Sequence, residues 1–188
     1  MKTLQDYHNK LAAILSPAEF VDMRKRGIVA SRANLLIEQL QTRKFKNILE
    51  IGRYMGYSLG IFICFSPDSV ITSVDYKMQL TPILPKLLNA LAIKKSVYLV
   101  HGTSDATPAS KYDFVLIDAD HTYAGAKKDW DNVKGKLAPG AVIVFDDVYR
   151  IGNLCNEVRA ELGNKVAAYK EVPHPAGVGG VAITLKAI

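Results

Sequence analysis

From Asn47 onward the chain alternates short apolar runs with longer amphipathic ones. Asn47 to Gly52 reads as a buried strand that ends in a turn, and Tyr57 to Phe65 as a helix closed by Ser66-Pro67-Asp68. Val70 to Asp75 is rich in β-branched residues and reads as a second strand. Pro82 to Ile93 follows as a helix with Pro82 and Pro85 in its first turn, where proline is tolerated. Val97 to Gly102 and Asp113 to Asp118 supply strands three and four, and Tyr123 to Leu137 an amphipathic helix stopped by Ala138-Pro139-Gly140. Ala141 to Asp146 makes the fifth strand, followed by a helix from about Asn153 to Leu162.

Strands without internal polar alternation are buried on both faces, which calls for a parallel sheet flanked by helices. The end breaks the pattern. Val166 to Val172 and Val178 to Lys186 are two strand-like runs joined by a turn with Pro173, Pro175 and Gly177. Parallel neighbours need a long crossover, so this pair must be antiparallel. The expected fold is a doubly wound α/β sheet of seven mostly parallel strands that ends in an antiparallel hairpin. Residues 1–46 form a helical extension, with helices from Leu4 to Leu15 and from Pro17 to about Gln41. Ser16, Pro17 and Glu19 make a capping box at the second helix start. No repeat or linker divides the chain, so one domain is expected over residues 1–188, with its core at 47–188.

Composition changes this picture little. Of 188 residues, 49% are hydrophobic and 22% charged, the balance of a globular chain. The longest apolar run, Leu59 to Phe65, falls far short of the ~18 residues a membrane span needs. The opening residues lack the apolar stretch of a secretory signal, and Cys64 and Cys155 have no metal-ligand spacing, so reduced thiols and a cytoplasmic setting are expected. The net charge of +6 raises the question of a polyanion partner. The basic residues are scattered and not interleaved with aromatics, which argues against nucleic acid. The amphipathic N-terminal helices offer a surface for a homodimer.

The informative string is Glu50-Ile51-Gly52-Arg53-Tyr54-Met55-Gly56-Tyr57-Ser58, where a strand meets a helix. In open α/β sheets ligands sit beyond the carboxyl ends of strands. A carboxylate before the first glycine would repel a pyrophosphate but suits a ligand carrying an ammonium and a sulfonium. Asp75 ends the next strand, where an acid can accept both ribose hydroxyls. Taken singly, Glu50 and Asp75 could be solvated strand-end carboxylates and the glycines plain turn formers. The ordered combination resembles motif I and the acidic strand-two motif of the class I S-adenosylmethionine-dependent methyltransferases. That resemblance implies that Glu50, Gly52 and Gly56 line the methionine side, with Tyr54 and Ser58 in the same turn, and that Asp75 binds the ribose. It also places Ser104 and Asp105 beside the adenine. Arg53 is larger than the small residue often found at its position, and Tyr54 and Tyr149 lie near the rim, where they can shape the acceptor pocket.

Asp118-Ala119-Asp120-His121 ends strand four and Asp146-Asp147 ends strand five, on the same rim. Gathered carboxylates need neutralising, and oxygen ligands favour a hard ion such as Mg²⁺. The pattern resembles the metal-dependent O-methyltransferases that act on catechols, caffeoyl-CoA and macrolide sugars. It implies Asp118 beside the cofactor, Asp118, Asp146 and Asp147 as metal ligands, His121 as general base, and a small hydroxylated molecule as acceptor. Two other readings stay open: a metal-independent methyltransferase with another acceptor, and a module that binds the cofactor without turnover. The alternative reading makes Asp120 or His121 a helix cap and Asp147 a turn residue. His8, His101 and His174 are read as structural or surface residues and Trp130 as core.

Overall fold

The computed structural model describes residues 3–26, 30–77, 82–91, 96–172 and 179–187. Three helices come first: α1 (Leu4–Ile14), α2 (Pro17–Arg26) and α3 (Ala30–Gln41). Then follow β1 (Asn47–Ile51), α4 (Tyr57–Phe65), β2 (Val70–Asp75), α5 (Ile83–Leu91), β3 (Ser96–His101), β4 (Tyr112–Ile117) and α6 (Tyr123–Val133). The chain closes with β5 (Leu137–Phe145), α7 (Leu154–Leu162), β6 (Val166–Val172) and β7 (Gly180–Leu185).

The seven strands form one sheet in the order β3-β2-β1-β4-β5-β7-β6. The first five are parallel, while β7 runs antiparallel to both β5 and β6. The expected closing hairpin is present, and its second strand sits inside the first. The turn that joins the two, with Pro173, His174, Pro175 and Gly177, lies outside the described residues.

Side-chain alternation along the strands makes three layers. Ile48, Ile71, Phe114 and Leu116 face the layer of α1, α3, α4 and α5. Leu49, Val74, Val115, Ile117 and Phe145 face α6 and α7, where Trp130 is fully buried and donates through Nε1 to Glu161. His8 is also buried, 2.7 Å from the Tyr57 hydroxyl, which fits a structural histidine. Both cysteines are free thiols. Among the described residues no helix is long and apolar enough to cross a membrane.

Three expectations need correction. The run from Pro17 to Gln41 is not one described helix: α2 ends at Arg26 and α3 starts at Ala30, with residues 27–29 outside the described set. The helix from Tyr123 closes at Val133, and β5 starts at Leu137, so Ala138-Pro139-Gly140 lies inside a strand rather than stopping a helix. Leu137 already pairs with Tyr112, and the register shifts before Phe114 meets Val142, which absorbs the irregular proline-glycine stretch. Finally, β3 is not buried on both faces. It forms a sheet edge, with Tyr98 58% and Leu99 43% exposed.

The central pair β1–β4 is fixed at both ends. At the start, the Asp113 carboxylate accepts from the backbone N–H of Lys46 (2.8 Å) and Asn47 (2.9 Å). At the finish, Asp118 N–H donates to Ile51 O at 2.8 Å, and Gly52 N–H to Val74 O at 2.9 Å. Here the direction of strand succession reverses, which is where open α/β sheets bind ligands.

Candidate active site

A cavity of about 900 Å³ opens beyond the carboxyl ends of β1, β2, β4 and β5. The turn after β1 forms its floor. Gly52 has φ +95°, and a β-carbon there would collide with the Asp118 carbonyl oxygen, so glycine is required by close backbone approach. Asp75 then fastens the turn. Its Oδ2 accepts from the N–H groups of Arg53 (2.9 Å) and Tyr54 (2.7 Å), and its Oδ1 from Lys77 N–H (2.7 Å).

Of the residues expected around a cofactor, Gly52, Tyr54, Ser58, Asp75, Ser104 and Asp118 line this cavity. Three do not. Glu50 is fully buried behind the floor, where Ser58 and Ser73 both donate hydroxyls to it. Burial pushes its carboxyl up to about 7, against the two serine bonds and the nearby Arg53 guanidinium. Gly56 is buried at the entrance of α4 with φ +87°, and a β-carbon there would meet Leu84 Cδ1 at 2.9 Å. Asp105 is exposed and bonded to the Thr103 hydroxyl, which holds its carboxyl below the usual range. Tyr149 likewise lies outside the lining, half-exposed against Gly179.

The other half of the cavity is acidic. His121 directs Nδ1 toward Asp147 Oδ2 at 3.2 Å and lies 3.9 Å from Asp118 Oδ1. Asp118 and Asp146 are hydrogen-bonded to each other; burial, and then their mutual repulsion, raise Asp118 well above the carboxylate range, and burial raises Asp146 too. Asp147 has φ +49°, the left-handed region that side-chain-bearing residues seldom adopt.

The sequence reading missed Arg32. From α3 its Nη1 reaches 2.9 Å from Asp146 Oδ1 and contacts Asp147 Oδ1 directly, with only 8% of the residue exposed. Two of the three acids expected to hold a metal, Asp146 and Asp147, are therefore bridged by a guanidinium. Among the described residues no group of three His, Cys, Asp or Glu side chains is placed to hold a metal ion. The donor chemistry suits a hard cation, but the place between Asp146 and Asp147 is filled by nitrogen, so the arrangement does not fit one.

Asp129 of α6 was missed as well. It lines the cavity next to Ser104, and its buried Oδ2 has no partner among the described residues. Ser104 Oγ accepts from Asn132 at 2.9 Å. An orphan buried acceptor beside a hydroxyl is a fitting place for the amino edge of a nucleobase. Together with Asp75 one strand away, the residues present fit an adenosyl ligand.

A family model described as a methyltransferase domain matches residues 49–148, which span β1 to the end of the Asp146–Asp147 turn. The chain belongs to the methyltransferase-domain family. No curated protein matches it. Solved structures share the fold at low identity. One is an O-methyltransferase from Bacillus cereus in complex with S-adenosylhomocysteine, 18% identical, TM-score 0.74, covering 95% of this chain and 91% of that one. The O-methyltransferase TomG from Streptomyces achromogenes, involved in tomaymycin synthesis and solved with S-adenosylmethionine, is 18% identical, TM-score 0.71, covering 94% and 89%. The N-methyltransferase NodS from Bradyrhizobium japonicum, with S-adenosylhomocysteine, is 15% identical, TM-score 0.63, covering 98% and 99%. In fold, this methyltransferase is similar to solved O-methyltransferases bound to S-adenosylmethionine or S-adenosylhomocysteine.

Proposed function

We propose that this methyltransferase methylates a hydroxyl oxygen of a small molecule, with His121 as general base and residues 1–188 acting as one domain. One relationship carries the reading: His121 is oriented by Asp147 on the wall of the cavity that also holds Asp75 and Ser104. S-adenosylmethionine, when bound, supplies a methyl group made electrophilic by its sulfonium.

The chain's own residues do the rest. Asp75 keeps one lone-pair site free, on Oδ1, after its three backbone bonds, enough to accept one ribose hydroxyl. Ser104 and Asp129 take the nucleobase end, and Ser58 and Tyr54 flank the methionine end. With Nδ1 turned to Asp147, His121 has Nε2 left to take a proton. The acceptor hydroxyl gives its proton to Nε2 while its oxygen forms the new bond to the methyl carbon. The carbon–sulfur bond breaks, and its electron pair stays on sulfur. The half-buried ring then returns the proton to solvent. No step passes through a metal ion.

Calorimetric titration with S-adenosylhomocysteine, followed by methyl-transfer assays on hydroxylated metabolites, tests the proposal. His121→Ala should bind the nucleoside as the unmodified protein does and lose turnover. Absence of binding heat in the unmodified protein would overturn the reading, and full turnover by the variant would remove His121 from it.

A further inference from the structure

Three carboxylates converge on one corner of the cavity, and the cation that meets them comes from the chain itself. Arg32 Nη1 stands between Asp146 Oδ1, at 2.9 Å, and Asp147 Oδ1, in direct contact. Two features show that this arrangement is built in. The arginine stem passes over Gly180 of β7, where a β-carbon would stand 3.1 Å from Leu35 Cδ2 and 3.5 Å from Arg32 Cγ. The glycine lets α3 lie close enough for Arg32 to reach the acids. On the far side, the left-handed backbone of Asp147 divides its carboxylate between Arg32 and His121 Nδ1, the latter 3.2 Å away.

An ion bridging Asp146 and Asp147 would need the position Nη1 fills. It would also have to compete with His121 for Asp147. A guanidinium buried between two carboxylates resists displacement, because removing one partner leaves uncompensated buried charge. We propose that Arg32 is the resident cation of this site, holding the place of a divalent metal and excluding it. The consequence for substrate, which rests on the methyl-transfer reading above, concerns chelation. A metal ion binds two adjacent acceptor oxygens at once, whereas Arg32 is spent on the two acids and His121, with Nε2 left over, addresses a single oxygen. The acceptor class is therefore an isolated hydroxyl rather than a vicinal pair.

Manganese titration followed by electron paramagnetic resonance reads this without turnover. The unmodified protein and Arg32→Lys, which keeps the charge, should leave the free Mn²⁺ signal unchanged. Arg32→Met, which keeps the stem but removes the charge, should take up one equivalent, with affinity increased by about tenfold or more. S-adenosylhomocysteine binding by each variant shows that the pocket is folded, and keeps a failure of the cofactor reading separate from a failure here. One equivalent of Mn²⁺ on the unmodified protein would overturn the proposal even if the variants fail to fold. So would a folded, nucleoside-binding Arg32→Met that still takes up none. Methyl acceptance by vicinal diols and not by single hydroxyls would overturn the substrate class.

Discussion

His121 Nδ1 lies 3.2 Å from Asp147 Oδ2, so the ring is steered by an acid that is itself tied to Arg32 through its other oxygen. An imidazole held this way keeps one tautomer and one direction. Replacing Asp147 by Ala should therefore lower kcat by about 10- to 100-fold and leave S-adenosylhomocysteine affinity nearly unchanged, whereas His121→Ala should cost about 10²–10⁴. Steady-state kinetics beside calorimetry would separate the two, and equal losses in nucleoside affinity would contradict the assignment.

Asp75 joins the turn after β1 to the end of β2 through three backbone N–H groups. Asp75→Asn keeps the shape but offers only one carbonyl oxygen, and its amide group faces donors. The expected outcome is a loss of S-adenosylhomocysteine affinity of about tenfold or more, since hydrogen bonds to a charged group are worth about 1.5–3 kcal/mol. Calorimetry reads it directly.

Glu50 is fully buried and its carboxyl is raised to about 7. The folded protein therefore binds this proton more tightly than the unfolded chain does, in which the group titrates near ~4.3. Glu50's contribution to stability is fully present below that value and is lost as pH rises through about 7. Above that, the cost reaches the order of 3 kcal/mol. Glu50→Gln keeps a partner for both serines and carries no charge. Its melting temperature, relative to the unmodified protein, should rise from pH 5 to about pH 7 and level off above that. A constant difference across that range would show that Glu50 is ionised throughout.

Gly52 and Gly135 make a matched pair of substitutions. A β-carbon on Gly52 meets the Asp118 backbone at positive φ, while one on Gly135 meets nothing within 4 Å among the described residues. Gly52→Ala should lose about 2–4 kcal/mol of stability, by strain and steric overlap, and weaken nucleoside binding. Gly135→Ala should change stability by no more than ~0.5 kcal/mol. Thermal unfolding of both, with and without S-adenosylhomocysteine, checks the pair.

The strands, their order and the closing hairpin could be read from the chain because apolar runs and their glycine and proline punctuation are local signals. Gly52, Asp75 and the Asp118–His121 turn could be read because the parallel sheet brings the ends of its strands to one rim. Glu50 is expected on the methionine side because a carboxylate precedes the first glycine, and the structure buries it behind the cavity floor. It shares the face of Ile48, which packs toward the α4 layer, and that face brings it to Ser58 and Ser73. Arg32 was missed because its partner Asp147 is 115 residues away. The local trace was a charge in register with Leu36 and Leu40, on the buried stripe of a helix. Asp129 carried a similar trace, as an acid beside Trp130 on the inward face of α6.

The clamp on β1 and β4 has a mechanical consequence. With Asp113 holding the two strands where they enter the sheet and the Gly52–Asp118 approach locking them where they leave, a slip of one residue is blocked from either end. The floor of the cavity is thus held in register from both of its ends.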